Sequence, residues 1–362
     1  MAPERVTGSP ASIGPFSNID MQFFQDLNID NAEYQFMFQT PNNNSLTMKT
    51  GSADNPSGSL YPLLDGNQDL PPEILGATGD MDPYLLRHYQ TDDHGTLKFK
   101  QLAIRSVSRN PPVQFLISHA SLFMQSRQEA GHQPVRTSDA RQQLEKTIPQ
   151  NIGKTLIRLY QRFIAPHYPI FSEESLPDPV MSSPCLLAAI YSISLPFAMY
   201  DDQLCIDMAY DSPNAKNLAG LINTGLASDI HSPTIATVQT LLLLVVRPSS
   251  NPLVSDSSYR WTNMGMLVSS AINIGLQLDP THWNIPLAQA YARRRLSFYI
   301  YALDKWLAAS LGKTPYISRS NWLVDELTVE DSHSSSLDDS QWTHIMTFSA
   351  ITTHLAESLD RL

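Results

Sequence analysis

From residue 147 onward, apolar side chains recur every third or fourth position in runs punctuated by proline, a pattern that suits packed helices. Ile152, Thr155, Leu156, Leu159 and Phe163 share one face of a first helix, after which Pro166 and Pro169 break the chain. Pro184 suits the first turn of the next helix, which carries Leu186, Leu187, Ile190 and Ile193, and Pro196 predicts a kink or break. Ser212-Pro213 and Ser232-Pro233 read as caps followed by first-turn prolines, for helices reaching about Ser228 and Val246. Over about 257–276, Trp261, Met264, Val268, Ala271 or Ile272, and Gly275 form a stripe. Over 290–311, Leu296, Ile300, Leu303, Leu307 and Leu311 share a face, and Asp304 falls about 40° from Ile300 inside it. A carboxylate buried there without a partner costs several kcal/mol or takes up a proton. Arg293 lies about 16 Å away along the axis, so Arg260 on a neighbouring helix is the predicted partner. The expected fold is all-α, an irregular array of about seven to nine helices with no fixed repeat.

The first 80 residues differ. They hold ten acidic residues against Arg5 and Lys49, and Thr40 to Gly58 offers little to bury. Residues 1–79 therefore read as a mostly disordered acidic tail. Within it, 19–38 alternates apolar groups with Asp20, Asp26, Asp30 and Glu33, and Phe23, Phe24, Phe36 and Phe38 mark it as a candidate interaction segment. Its competing reading is a short helix docked on the chain's own body, or an inert tail. Residues 80–146 read as a partly ordered linker or subdomain. In it, Asp82 and Pro83 suit a helix start, Asp93-His-Gly95 a turn, and Leu97, Phe99 and Gln101 one side of an extended segment that a β-hairpin would use.

Composition removes several function classes. The net charge of −11 shows no basic nucleic-acid-binding domain in bulk. Cys185 and Cys205 are too few for a disulfide scaffold or an all-cysteine zinc site, and both read as buried free thiols. The charge-free run Ile235 to Val246 is 12 residues, short of the ~20 a membrane-spanning helix needs. No secretory signal opens the chain. Two Gly-Lys-Thr triplets, at 153–155 and 312–314, lack the glycine that a phosphate loop places five positions earlier; Ile148 and Leu307 stand there. His344 and His354 share a helix face without a specified carboxylate and read as surface histidines. No catalytic, cofactor or metal site is expected. Arg293, Arg294 and Arg295 are the one basic cluster, and a structural role is favoured over DNA contact on so acidic a chain.

Residues 259–317 resemble the fungal-specific transcription factor domain, the middle homology region of zinc-cluster activators, also called the xylanolytic activator regulatory domain. Arg260-Trp261 matches its Arg-Trp pair, and Ala271, Gly275 and Leu276 its helix end. Arg293 to Arg295, followed by Phe298 and Tyr299, matches its arginine run. Asp304 matches its acid, and Gly312 with Pro315 its turn, with Thr314 inserted. The segment 80–126 is also similar to the TamA/Dal81-like subgroup of nitrogen-utilisation coactivators.

The resemblance implies a helical regulatory domain over 147–362 and a nuclear regulator or coactivator of transcription in nitrogen or carbon metabolism. Such a protein works by contacts with the transcription machinery, a DNA-binding factor, or a second copy in a homo- or heterodimer, and not as an enzyme or at a membrane. A structural adaptor on the same fold is the runner-up, ahead of an unfamiliar helical enzyme. The family as a whole carries zinc- and DNA-binding through six cysteines near the N-terminus. Here no cysteine precedes Cys185, which removes the usual basis for direct DNA binding. The helical pattern still runs through Trp342, Ile345, Phe348, Thr352 and Leu355 near the last residue, as in a C-terminally truncated domain.

Overall fold

The computed structural model describes residues 63–65, 70–76, 91–98, 102–131, 136–172, 175–210, 215–248, 256–332, 335 and 337–361. The segment 19–38 with its four phenylalanines, and the expected starts at Asp82-Pro83 and Ser212-Pro213, lie outside them.

Among the described residues ten α-helices make up the larger part: α1 Met124–Glu129, α2 Thr137–Thr147, α3 Gln150–Phe163, α4 Pro184–Ser194, α5 Asp202–Tyr210, α6 Ala215–Asp229, α7 Ile235–Val246, α8 Ser257–Asn273, α9 Leu287–Leu311 and α10 Asp339–Leu359. Two of them are apolar all round, as helices enclosed by others must be. In α4 every residue but Ser192 is buried, and in α7 every residue from Thr237 to Val245. Around α4 pack α2, α3, α6 and α7, and from α7 the layers continue through α8 and α9 to α10. Pro184 opens α4 as expected, and at Pro196 the α-helix gives way to a 3-10 turn over Leu195–Tyr200. The start expected at Ser232 lies two residues later. Thr234 caps α7 in a reciprocal box with Thr237, each side chain accepting from the other's amide. Such caps typically contribute ~1 kcal/mol.

The fold is mostly helical and not strictly all-α. Four antiparallel strands, β1 Pro72–Ile74, β2 Thr96–Lys98, β3 Leu102–Arg109 and β4 Pro112–Ser118, form a sheet in the order β1-β4-β3-β2. Ahead of β2, Asp92 accepts from the amides of His94 and Thr96 and closes the turn at Gly95. The register of β3 against β4 shifts between Ser106 and Ser108. Val107 at that irregularity is fully buried, and its carbonyl accepts from the amide of Asn284 at 2.7 Å. The sheet thus has its own small core of Leu64, Val107, Val113, Phe115, Trp283, Ile285 and Ala290, apart from the large helical one.

Gly275 lies where the chain leaves α8 beneath this sheet. Its φ is +75°, a left-handed conformation that side chains rarely tolerate. An added Cβ would sit 3.0 Å from both Ile74 Cδ1 and Phe115 Cζ. Gly275→Ala is therefore expected to lower stability by about 1–3 kcal/mol in denaturant unfolding. An unchanged midpoint would mean that the sheet does not hold this turn.

Candidate functional site

The residues that carry the family pattern fall on α8, α9 and the loops at their ends, and the structure gathers them into two buried networks. The first forms around the arginine run. On α9, Arg294 and Arg295 point well away from the leucine stripe, yet all three arginines are buried, with exposures of 2%, 5% and 0%. They are covered because the sheet, the loop through Asp331 and the chain after α8 close over the other sides of the helix.

Arg293 lies over the rings of Phe115 and Trp283, 5.8 and 5.4 Å from their centroids. It donates to the Ile274 carbonyl at the end of α8 and to both oxygens of Asp65, at 2.7 and 2.8 Å. One guanidinium so ties together the sheet, α8, α9 and the segment 63–65. Arg294 donates to Asp331 through Nε at 2.8 Å, to Asp279, to Thr281 and to the Glu326 carbonyl. Burial works against its charge, but Asp331 and Asp279 outweigh that and hold its pKa above the ordinary value. Asp279 feels burial too, yet the hydroxyl and amide of Thr281 and the charge of Arg294 hold its carboxyl below the usual range. Arg295 donates to the Asp331 carbonyl at 2.7 Å; burial pushes its pKa down to about 10 against the opposing pull of Asp331.

The second network corrects the expected pairing of Asp304 with Arg260. Asp304 is fully buried, and its two oxygens accept from the amides of Tyr316 and Ile317, each at 2.9 Å. Lys305 beside it is equally buried; its Nζ stands 4.0 Å from the carboxylate and donates to the Ile317 carbonyl. Burial raises the Asp304 pKa, against the two amides and Lys305, and burial lowers that of Lys305, against Asp304. Arg260 instead donates through Nε to the Val245 carbonyl at 3.1 Å, in the last turn of α7.

The bend that brings Tyr316 back to Asp304 begins at Gly312, which caps α9 in a left-handed conformation with φ +61°. Pro315 lies on the returning strand of this bend, directly before Tyr316. The Tyr316 ring then stacks on Trp261, centroids 4.5 Å apart, and Lys313 Nζ lies over the same indole, 5.2 Å from its centroid. The close approach of Tyr316 to Gly265, 3.2 Å from a Cβ built there, shows how tightly the loop is laid on α8.

These networks use their polar groups on each other, and neither presents a nucleophile or an acid–base pair to an open cleft. A cleft lined by His231, Ser232, Glu73 and Asn273 has a volume of about 40 Å³, room for a water molecule and far below the ~300 Å³ at which ligand pockets begin. Among the described residues no group of three or more His, Cys, Asp or Glu is placed to hold a metal ion, and no helix is long and apolar enough to cross a membrane. Cys185 is buried, and burial raises its pKa; Cys205, expected to be buried, is exposed. His344 and His354 are exposed.

One titrating group stands apart. Asp229 ends α6, and burial raises its pKa to about 6 despite Arg127. The negative end of the helix dipole acts in the same sense. The folded carboxyl holds its proton more tightly than the unfolded one. Its contribution is therefore whole below the ordinary pKa near ~3.9 and is lost as pH rises through about 6. Urea unfolding should show the parent losing on the order of 1–2 kcal/mol between pH ~4 and ~7 relative to Asp229→Asn. Parallel profiles would show that Asp229 titrates normally.

Known proteins resemble this chain over part of its length. An uncharacterised transcriptional regulatory protein of Schizosaccharomyces pombe is 26% identical over 274 residues, 72% of this chain and 39% of its own. Transcriptional activator protein DAL81 of Saccharomyces cerevisiae is 24% identical over 274 residues, 71% of this chain and 25% of its own. The C6 finger domain transcription factor hasF of Aspergillus fumigatus is 26% identical over 175 residues, 45% of this chain and 22% of its own. The chain thus spans two fifths or less of the length of these relatives. No solved structure matches it at a significant level. The model of the fungal specific transcription factor domain matches residues 157–359, which hold the arginine run, Asp304 and more than half the sequence, and the chain belongs to that family.

Proposed function

We propose that this chain is the regulatory portion of a fungal transcription regulator, acting in the nucleus through protein contacts and without catalysis. The family membership over 157–359 supports this reading, and so does the fate of the arginine run. Residues with exposures of 2%, 5% and 0% and internal carboxylate or carbonyl partners are not available to DNA phosphates. The basic cluster of this chain serves to hold helices, sheet and loops in register, and contact with DNA falls to partner proteins. The partners are the transcription machinery or a DNA-binding factor, and the likeness to DAL81 supports a coactivator role, in nitrogen utilisation as the subgroup implies.

Tethering is the direct test. The full chain joined to an unrelated DNA-binding domain should change transcription of a reporter carrying that domain's site. Replacing Phe23, Phe24, Phe36 and Phe38 by alanine should reduce the response if 19–38 is the recruiting segment. A nuclear, well-expressed fusion that leaves the reporter unchanged would overturn the proposal. The untethered chain should bind duplex DNA weakly and without sequence preference in a gel shift; salt-resistant binding to one sequence over its scrambled form would contradict it.

A further inference from the structure

Leu63, Leu64 and Asp65 occupy a cleft between the sheet and the first turns of α9, a helix that starts more than two hundred positions later in the chain. Leu64 enters the small core beside Phe115 and Trp283 and is 4% exposed. Its amide donates to Gln289 Oε1 at 2.9 Å, and Gln289 Nε2 donates to Asp65 at 2.9 Å. Arg293 takes both oxygens of Asp65, and Arg105 Nη1 donates to the Leu63 carbonyl at 2.8 Å.

The walls of this cleft also carry contacts of their own. Arg293 is fixed over Phe115 and Trp283 and on the Ile274 carbonyl, and Arg105 also donates to the Asn284 carbonyl at 3.3 Å. The recognition elements are an apolar socket, a glutamine that reads a backbone amide and a carboxylate together, a guanidinium on that carboxylate and a second guanidinium on the Leu63 carbonyl. A glutamine and an arginine converging on one aspartate, beside a socket for the preceding side chain, discriminate by charge and by shape.

We propose that this cleft is a peptide-recognition site for an aliphatic residue followed by aspartate, filled in cis by Leu64-Asp65, and that an acidic, apolar segment of a partner protein carrying the same pair takes its place. The covalent tether gives the internal occupant an effective concentration on the order of millimolar, so a partner wins only when it also binds elsewhere on the chain. The site therefore responds to a docked partner and not to stray peptides.

The probe is a fluorescein-labelled peptide of residues 60–71, titrated by anisotropy against the full chain and against Leu64→Ala/Asp65→Ala, in which the internal occupant lacks both determinants. The emptied variant should bind saturably, at least about tenfold more tightly than the parent does. A peptide carrying Asp65→Asn should bind at least about tenfold more weakly, because the charge-assisted bonds are lost. Added peptide should also restore part of the variant's lost melting temperature, as any ligand of the folded state must. Equal binding by parent and variant, no binding by either, or no preference for aspartate over asparagine would overturn the proposal. If the double variant does not fold, Asp65→Asn in the full chain takes its place, with the same three comparisons and the same reading of each outcome.

Discussion

Asp304→Ala is expected to destabilise the fold by about 3–5 kcal/mol, the usual cost of breaking a fully buried charge network by removing one member. Two amides, of Tyr316 and Ile317, lose their acceptor, and each unsatisfied buried donor costs ~1–3 kcal/mol. Lys305 keeps the Ile317 carbonyl and its contact with Tyr301 but loses its counter-charge. The loss should appear as a lower midpoint in denaturant unfolding. It should be accompanied by greater accessibility of Trp261, because the loop that stacks Tyr316 on the indole is the one Asp304 holds. The double variant Asp304→Asn/Lys305→Met should lose less than the sum of its singles, since each charge is the other's partner. Strict additivity would show that the two charges do not interact, and a loss under about 1 kcal/mol for Asp304→Ala would mean that the loop is held by other contacts.

Arg294→Met should cost as much, about 3–5 kcal/mol, although methionine fills a similar volume. The reason is on the acid side. Asp331 is 1% exposed and would keep the amide and hydroxyl of Thr328 and the attraction of Arg295 but lose its direct ion pair, while Asp279 would lose its counter-charge too. Arg294→Lys should recover only part of the loss. An ammonium can satisfy one carboxylate, whereas the guanidinium meets Asp331, Asp279 and the Glu326 carbonyl in three directions at once. Because Asp279 would lose one of the influences that hold its carboxyl below the usual range, the deficit of Arg294→Met should shrink as pH falls through the carboxylate range. A lysine variant as stable as the parent would show that charge alone, and not the planar fork, holds the two loops.

The helical part was legible because its signals are local. Pro184 at a first turn, the all-round apolar run of α7 and the stripe of α9 each state the element within a few residues. The sheet was less so. β1 and β2 are three residues each, too short to show a period, and β3 places Arg105 and Val107 inside across an irregularity that breaks its alternation. The need of Asp304 for a partner could be read from its face angle, but the identity of the partner could not. The partner is mainly backbone, supplied by a loop that returns after Gly312, and amides leave no trace in a residue pattern. A turn glycine between the acid and such a pair of amides, four positions before the first of them, is the one hint. The acids that meet the arginine run, Asp65, Asp279 and Asp331, sit in three separate loops with no fixed spacing, so only the folded chain brings them together.

The burial of the arginine run also reshapes the field that other molecules meet. Among the described residues Arg105, Arg293, Arg294, Arg295 and Lys305 are interior, while only Asp304 and Asp331 among the acids are enclosed to the same degree. Among these residues more positive than negative charge is thus withdrawn from the exterior, which tilts the field they present outward toward negative. At a distance of a Debye length, about 8 Å at physiological salt, a polyanion is repelled and a basic protein is drawn in. Encounters with basic partners should accelerate as ionic strength falls, through the on-rate and not the lifetime of the complex. By enclosing its cations, the fold biases its company before any specific contact is made.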